Sequence, residues 1–439
     1  MGWGDTDGSN ASRRAVLRRV GMIGGTAVVL AGCTSDGNAS DDGDANDPDD
    51  TSQLELIHWW TAGGEEDALE ALLDGFLEEH EEGVIEENPA PGGAGSALNA
   101  AVQSRLIDEE PPSTFQIWPG EALRPFVDSN VLAALDDIWS DDMREAYIDS
   151  VRELSQRNGV YVAVPVNIHR LNNLFYNVDV VEDVGVDPRS VDDPETLLEV
   201  FEAVADAGYT PLAHQTQDAW PTVQLWETVF LGQHGLETFQ SFLDGDVDGL
   251  AEPVAESLSL IERYREHVSP DASSIAWDEA NAQVITGDAA FTHQGDWAAG
   301  HYSSAELTYG EEWSHVAFPG TDGVYTMVLD SFVMPDPNPS PELTSAFLQY
   351  CGSVDAQRRF NQPKGSIPPR TDVPAEEFPP FLQDQMADFD ASGDQLPTIT
   401  HGSAIHPATK NQLEEAFASF LESWNVETTA ERLLEIVGP

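Results

Sequence analysis

Leu54-Glu55-Leu56-Ile57-His58-Trp59-Trp60 reads as a strand running into a glycine turn at Gly63-Gly64. The segment behind it places Leu69, Leu72, Leu73, Phe76 and Leu77 at i, i+3, i+4, i+7 and i+8, one face of an α-helix. A strand followed by an amphipathic helix restricts the chain to folds in which helices cover a sheet, and the pattern recurs. Leu413, Ala416, Phe417, Phe420 and Leu421 repeat the helical spacing, and Thr196–Ala207 is a further helix candidate that stops at Gly208. Thr114–Trp118, Val160–Val166 and Asn173–Tyr176 are short apolar strand candidates. Alternation of this kind predicts the α/β class. From Gln53 to Pro439 the chain is long enough for two domains or lobes, at a typical ~100–200 residues each.

The first 52 residues have a different character. Ser12-Arg13-Arg14-Ala15-Val16-Leu17 is a twin-arginine export pattern, extended by Arg18 and Arg19. The apolar run from Val20 ends in Leu30-Ala31-Gly32-Cys33, a lipobox whose cysteine becomes the lipidated first residue. That run falls well short of the roughly 20 residues that span a bilayer, so residues 1–33 are expected to be a targeting signal; an uncleaved anchor helix is the competing reading. Residues 34–52 carry Asp36, Asp41, Asp42, Asp44, Asp47, Asp49 and Asp50 among Gly, Asn and Ser. Such a stretch buries no apolar surface and its like charges extend it, which makes it an acidic tether. The expected location is the extracellular face of the cytoplasmic membrane, through a lipid on Cys33.

The whole chain carries 79 acidic against 19 basic residues, a net charge of −60, and only two of the basic residues are lysines, Lys364 and Lys410. Self-repulsion on that scale strains a compact state in dilute buffer. At about 1 M salt the Debye length falls to roughly 3 Å and the repulsion is screened, so the composition points to a halophile. It also excludes nucleic acid as a partner, which needs a basic surface. With Cys33 assigned to lipid, Cys351 is left alone and is expected to be a small buried residue. No zinc spacing is present, and no metal or cofactor is implied.

Aromatic and polar residues gather where strand candidates end. Thr114-Phe115-Gln116-Ile117-Trp118-Pro119-Gly120 runs into a Pro-Gly turn, and Pro165-Val166-Asn167-Ile168-His169-Arg170 leads into Leu174-Phe175-Tyr176-Asn177. Gly295-Asp296-Trp297-Ala298-Ala299-Gly300 follows Ala289–His293, and Asp330-Ser331-Phe332 follows Val324–Leu329. Pro363-Lys364-Gly365-Ser366-Ile367 and Ile399-Thr400-His401-Gly402 complete the set. Ligands of open α/β sheets bind outside the carboxyl ends of strands. A Trp beside an Asp in such a loop suits a sugar, whose C–H face stacks on indole while its hydroxyls bond to polar side chains.

In this order the pieces, with Gly92-Gly93-Ala94-Gly95, resemble extracellular solute-binding proteins of the maltose-binding-protein-like class (family 1) that feed ABC importers. They are most similar to the glucose/galactose-binding branch. The resemblance implies a two-lobed periplasmic-binding-protein-like α/β fold of class II, with discontinuous lobes joined by hinge strands. The expected lobes are 53–166 plus 318–375 and 167–317 plus 376–439. It further implies a small-molecule sugar as ligand, ABC permease subunits as partners and a monomeric state. Gln116, Asp296, Trp297, Trp277, Asp330, Lys364 and His401 match its binding positions. Trp60 and Glu65 match across one extra residue in Thr61-Ala62-Gly63-Gly64. Trp118 departs from the pattern, because the branch has a sugar-touching histidine there.

Several of these residues also fit structural roles. Trp59 and Trp60 point to opposite faces of a strand, so one of them packs in the core, and Trp60 is the expected cleft residue. Trp277 also fits a helix anchor, Trp220 and Trp226 fit core or cleft rim, and His169 fits a hinge brace. A lysine kept at 364 in a chain that has discarded nearly all others implies that an amine is needed there, with charge neutralisation as the alternative. A lipid-anchored glycosidase would need a carboxylate pair about 5–5.5 Å or about 6.5–9.5 Å apart, and no motif points to one. The expectation is a binding protein for a glucose-like monosaccharide or small oligosaccharide, with a polyol as the alternative, and no catalysis.

Overall fold

The computed structural model describes residues 53–61, 64–90 and 95–438. The twin-arginine pattern, Cys33 and the tether lie outside the described residues, as do Ala62-Gly63 and Gly92-Gly93-Ala94.

Two sheets organise the body. The first orders Val84–Pro89, Gln53–His58, Thr114–Ile117, Ser331–Val333 and Val164–Pro165 across its width. Its first three strands are parallel, which requires crossovers, and the helices Gly64–Glu79 and Ser96–Ile107 supply them. The opening strand is buried on both faces. Leu54 and Leu56 join Leu69, Leu72 and Phe76 in one core, while Ile57 joins Leu98, Val102 and Phe115 in another. Ser331–Val333 then pairs antiparallel with both Thr114–Ile117 and Val164–Pro165.

The second sheet orders Trp313–Ala317, Asn173–Asn177, Ala289–Gln294 and Thr210–Leu212. Between its two parallel strands, Thr210–Leu212 and Ala289–Gln294, run the helices Trp220–Leu243, interrupted at Gly235, and Ala251–Tyr264. They share a core with the two C-terminal helices, Pro407–Ser423 and Val426–Val437, built on Trp226, Phe230, Phe242, Phe417 and Phe420. The helix Leu197–Ala207 closes at a left-handed Gly208, where the sequence places its stop.

A third sheet joins the two halves. It orders Asp394–Pro397, Val324–Val328 and His169–Arg170. Val324–Val328 passes through Leu329-Asp330 directly into a strand of the first sheet. His169–Arg170 lies between Val164–Pro165 of the first sheet and Asn173–Asn177 of the second. The connecting chain therefore crosses between the halves where the binding motifs of the sequence cluster.

The strand candidates are found with small shifts. Val160–Val166 is divided into a hairpin strand, Val160–Tyr161, and the separate Val164–Pro165. Cys351 is buried with a free thiol, which burial pushes well above its usual range. Among the described residues no helix is long and apolar enough to cross a membrane.

Trp226 is fully buried, stacks on Phe230 at 5.3 Å and donates its indole N–H to Ser257 Oγ at 2.9 Å. Trp226→Ala should cost about 3–5 kcal/mol of unfolding free energy through the cavity it leaves. Chemical denaturation in multimolar KCl measures this, and a loss under ~1 kcal/mol would mean that the core refills the space.

Candidate ligand cleft

The crossing region brings strand ends from both sheets against one another. Gln116, at the end of Thr114–Ile117, accepts from the Trp59 backbone N–H at 3.1 Å and donates through Nε2 to Asp330 Oδ1 at 2.9 Å. Asp330 takes a second hydrogen bond on Oδ2 from Asn167 Nδ2 at 2.8 Å and returns its own backbone N–H to Asn167 Oδ1 at 2.7 Å. From the second sheet, Asp296 accepts from the Arg170 backbone N–H at 3.0 Å and bonds to His169 Nδ1. The opposite edge of the His169 ring, Nε2, lies 3.0 Å from Asn167 Nδ2 and 3.5 Å from Asp330 Oδ2. One imidazole thus stands between two carboxylates contributed by different halves.

All of these side chains are buried, so their electrostatics are strong. Burial pulls the His169 pKa down, but Asp296, with help from Asp330, outweighs it and raises the value overall. Burial likewise pushes Asp330 up, yet hydrogen bonding from His169, the charge of Lys364 and Asn167 hold it well below the usual carboxylate range. Asp296 thus holds the imidazole at Nδ1, and the Asn167 amide, which lies on Nε2, ties it to Asp330. Asp296 was expected to meet ligand hydroxyls. In the structure its oxygens hold His169 and the Arg170 backbone, and the residue is fully buried.

Around this bridge the aromatic residues form an enclosure. His401 contacts the rings of Trp118 at 4.9 Å, Trp297 at 5.6 Å and Trp220 at 6.4 Å between centroids. Trp59 meets Trp118 at 5.1 Å, and His169 meets Trp297 at 5.2 Å. Burial lowers the His401 pKa to about 3, so its ring is neutral. Two glycines make room for these indoles. A Cβ on Gly295 would stand 2.2 Å from Trp297 Cζ3, and one on Gly95, whose φ is +68°, would stand 3.1 Å from Trp59 Cζ3.

Not every expected residue joins the enclosure. Trp60 is 1% exposed and packs between Phe332 and Phe360 in the first core, so Trp59 faces the cleft instead. The reason lies in strand parity, because Trp60 continues the Leu54–Leu56 face into the same core. Trp277 stacks on His301 at 4.8 Å rather than on the His401 group. It stands near Glu65 and Lys364 only through His301, whose pKa feels both of them. Lys364 is 2% exposed, donates to Glu65 Oε1 at 2.5 Å and lies 5.7 Å from the Trp60 ring centroid.

Three participants were not singled out from sequence as site residues: Asn167, Glu227 and Lys410. Asn167 lies in the Pro165–Arg170 segment, where its residue type alone implies no ligand role. Glu227, on the helix Trp220–Leu243, accepts from the Ile399 backbone N–H and from Thr400 Oγ1, both at 2.7 Å, and so anchors the loop that presents His401. Its spacing from Trp220 and Gln224 along that helix is the one signal that could have shown it facing the same way.

Burial pushes the Glu227 carboxyl up to about 7, against the lowering effect of the Thr400 and Ile399 donors. The folded protein therefore keeps a proton there at pH values where the unfolded chain, with the ordinary value of 4.5, has lost it. This contribution to stability is greatest below about 4.5 and is lost as pH rises to about 7. Glu227→Gln has no proton to lose, so the stability difference between wild type and variant should shrink across that window in equilibrium unfolding. A difference independent of pH would contradict this assignment.

Residues 71–387 match the family described as bacterial extracellular solute-binding protein. A xylose/arabinose-binding protein of Haloferax volcanii is 35% identical over an alignment covering 99% of each chain. An uncharacterised ABC transporter extracellular-binding protein of Pyrococcus horikoshii is 32% identical over 93% of this chain and 92% of its own. Among solved structures the bacterial solute receptor AcbH aligns with a TM-score of 0.77 over 87% of this chain and 97% of its own, at 17% identity. That likeness concerns the fold, which is the two-lobed α/β fold of such receptors. With the family match spanning most of its body and relatives above 30% identity along nearly its whole length, the chain belongs to the family of bacterial extracellular solute-binding proteins.

Proposed function

We propose that this protein captures a neutral monosaccharide in the cleft and delivers it to the membrane subunits of an ABC importer. One observation carries the reading: the cleft joins tryptophans to buried polar groups, while among the described residues each cation at it is paired with a carboxylate. Lys364 is paired with Glu65, Lys410 with Glu414 at 2.9 Å, and His169 with Asp296 and Asp330. Among the described residues these pairs leave no free positive charge at the cleft for an anionic solute. A stacking wall with carboxylate and amide acceptors suits a ring whose polar edge is hydroxyl and whose face is C–H.

In this reading Trp59, Trp118 and Trp297 stack on the sugar, and Gln116, Asp330 and His401 meet its hydroxyls. Lys364, Glu65 and Trp277 line the neighbouring rim, and Asp296 holds His169 in place. The relative from Haloferax volcanii is named for xylose and arabinose, so pentopyranoses stand beside glucose as first candidates. The large Trp118, where the glucose-binding branch carries histidine, favours the smaller ring. The lobes, 53–166 plus 318–375 and 167–317 plus 376–439, close over the sugar about the three-stranded sheet. The sugar drives closure only through its greater affinity for the closed state. Export by the twin-arginine route, a lipid on Cys33, an acidic tether, a monomeric state and adaptation to brine complete the proposal, and no catalytic step belongs to it.

A thermal-shift and calorimetric series in multimolar KCl tests this, with xylose, arabinose, glucose, galactose, maltose and glycerol beside an amino-acid control. A bound sugar raises the midpoint by stabilising only the folded state. Trp297→Ala should lose roughly tenfold or more in affinity while its midpoint without sugar changes little. Absence of a shift with every sugar, or equal loss of affinity and unliganded stability in the variant, would overturn the assignment.

A further inference from the structure

The chain contains two lysines among 19 basic residues, and both are buried beside a tryptophan, Lys364 at Trp60 and Lys410 at Trp118. Lysine is among the residues least often buried, and an ammonium is costly to desolvate unless it is paired. A surface that has dispensed with lysine altogether, yet an interior that retains two, indicates that each is held for what it does locally. Lys364 was legible from sequence. Lys410 is its counterpart on the other side of the cleft. It is 7% exposed, its Nζ lies 5.9 Å from the Trp118 ring centroid, and one helical turn on, Glu414 Oε1 receives it at 2.9 Å.

The placement ties the two halves together. Trp118 follows a strand of the first sheet, whereas Lys410 belongs to the helix Pro407–Ser423, whose Leu413, Phe417 and Phe420 sit in the core of the second. The Lys410 stem packs near the His401 loop, since a Cβ on Gly402 would stand 3.7 Å from Lys410 Cδ. The same loop accepts, at Ser403 O, the Glu121 backbone N–H at 3.0 Å, from the turn that follows Trp118. The Trp118 indole packs against Leu171 and Val328 and is flanked by Trp59 at 5.1 Å, His401 at 4.9 Å and the ammonium of Lys410.

We propose that Lys410 is a positioning residue of the solute site, fixing the Trp118 ring against the His401 loop so that the stacking wall is set before the solute arrives. The proposal rests on the reading of the cleft as a sugar site. A cation within about 6 Å of an indole centroid is attracted by its π-face, and Glu414 keeps the ammonium from swinging away. A ring already immobilised loses less freedom when a ligand stacks on it, and affinity rises by that saving. Lys410 touches no solute in this account; it acts through Trp118.

Lys410→Met keeps an unbranched stem and removes the charge, while Glu414, a quarter exposed, can rehydrate. It should weaken binding of the best wild-type sugar by roughly tenfold and leave the unliganded midpoint close to wild type. In a Trp118→Ala background the same change should have no further effect, because the residue through which it acts is gone. Near-ultraviolet circular dichroism without sugar gives a second readout, in which Lys410→Met should reduce the tryptophan signal that Trp118→Ala also removes. Wild-type affinity in the single variant, an undiminished effect in the Trp118→Ala background, or an unchanged tryptophan signal would each overturn the proposal. A wild-type protein that binds no sugar would instead overturn the sugar reading, and the dichroism would still decide whether Lys410 fixes the ring.

Discussion

Everything in the cleft hangs from His169 between Asp296 and Asp330. Two buried carboxylates from different sheets would repel in a medium of low dielectric. His169 and the Asn167 amide between them give each carboxylate hydrogen-bond partners and make both fixed acceptors. From Asp330 the order passes to Gln116 and on to the Trp59 backbone; from Asp296 it passes to the Arg170 backbone and the turn that presents Trp297. Buried ion pairs of this kind contribute little net stability against an apolar replacement. Their effect here is geometric, since removing one member leaves an unpaired charge and releases two walls at once.

Charge is distributed differently inside and outside. The net charge of −60 belongs to a solvated surface, where concentrated salt shortens its range to a few ångströms. Interior pairs are screened far less. The His169 group is therefore affected least by salt, and Lys364–Glu65 and Lys410–Glu414, each with a buried ammonium and a quarter-exposed carboxylate, less than surface pairs. In the proposed reading the cleft suits neutral solutes despite the strongly acidic composition, because its described cations are paired internally.

The alternation of strands and amphipathic helices was legible along the chain, since it rests on local periodicity: the Leu69–Leu77 and Leu413–Leu421 faces and the Gly208 stop all correspond to elements. What escaped depends on which faces meet. Asp394–Pro397, a strand of the connecting sheet, has no apolar pattern to announce it. Parity puts Trp60 with Leu54 and Leu56 but Trp59 with the equally buried Ile57, so which of the two tryptophans faces the cleft depends on the tertiary packing of both faces. Gln116, Trp118, Asp330 and His401 came from motif order and do converge. Glu227 is one acid among 79, and only its tertiary pairing with the His401 loop distinguishes it. Lys410 carried the same signal as Lys364, rarity, and lacked only a motif around it.

Small-angle X-ray scattering of wild type and His169→Asn in multimolar KCl, with and without a saturating sugar, tests the dependence of closure on the bridge. The wild-type radius of gyration should fall when sugar is added. The variant, shown to be folded by far-ultraviolet circular dichroism, should lose most of that contraction. Contraction of equal size in both proteins would contradict the central place given to His169.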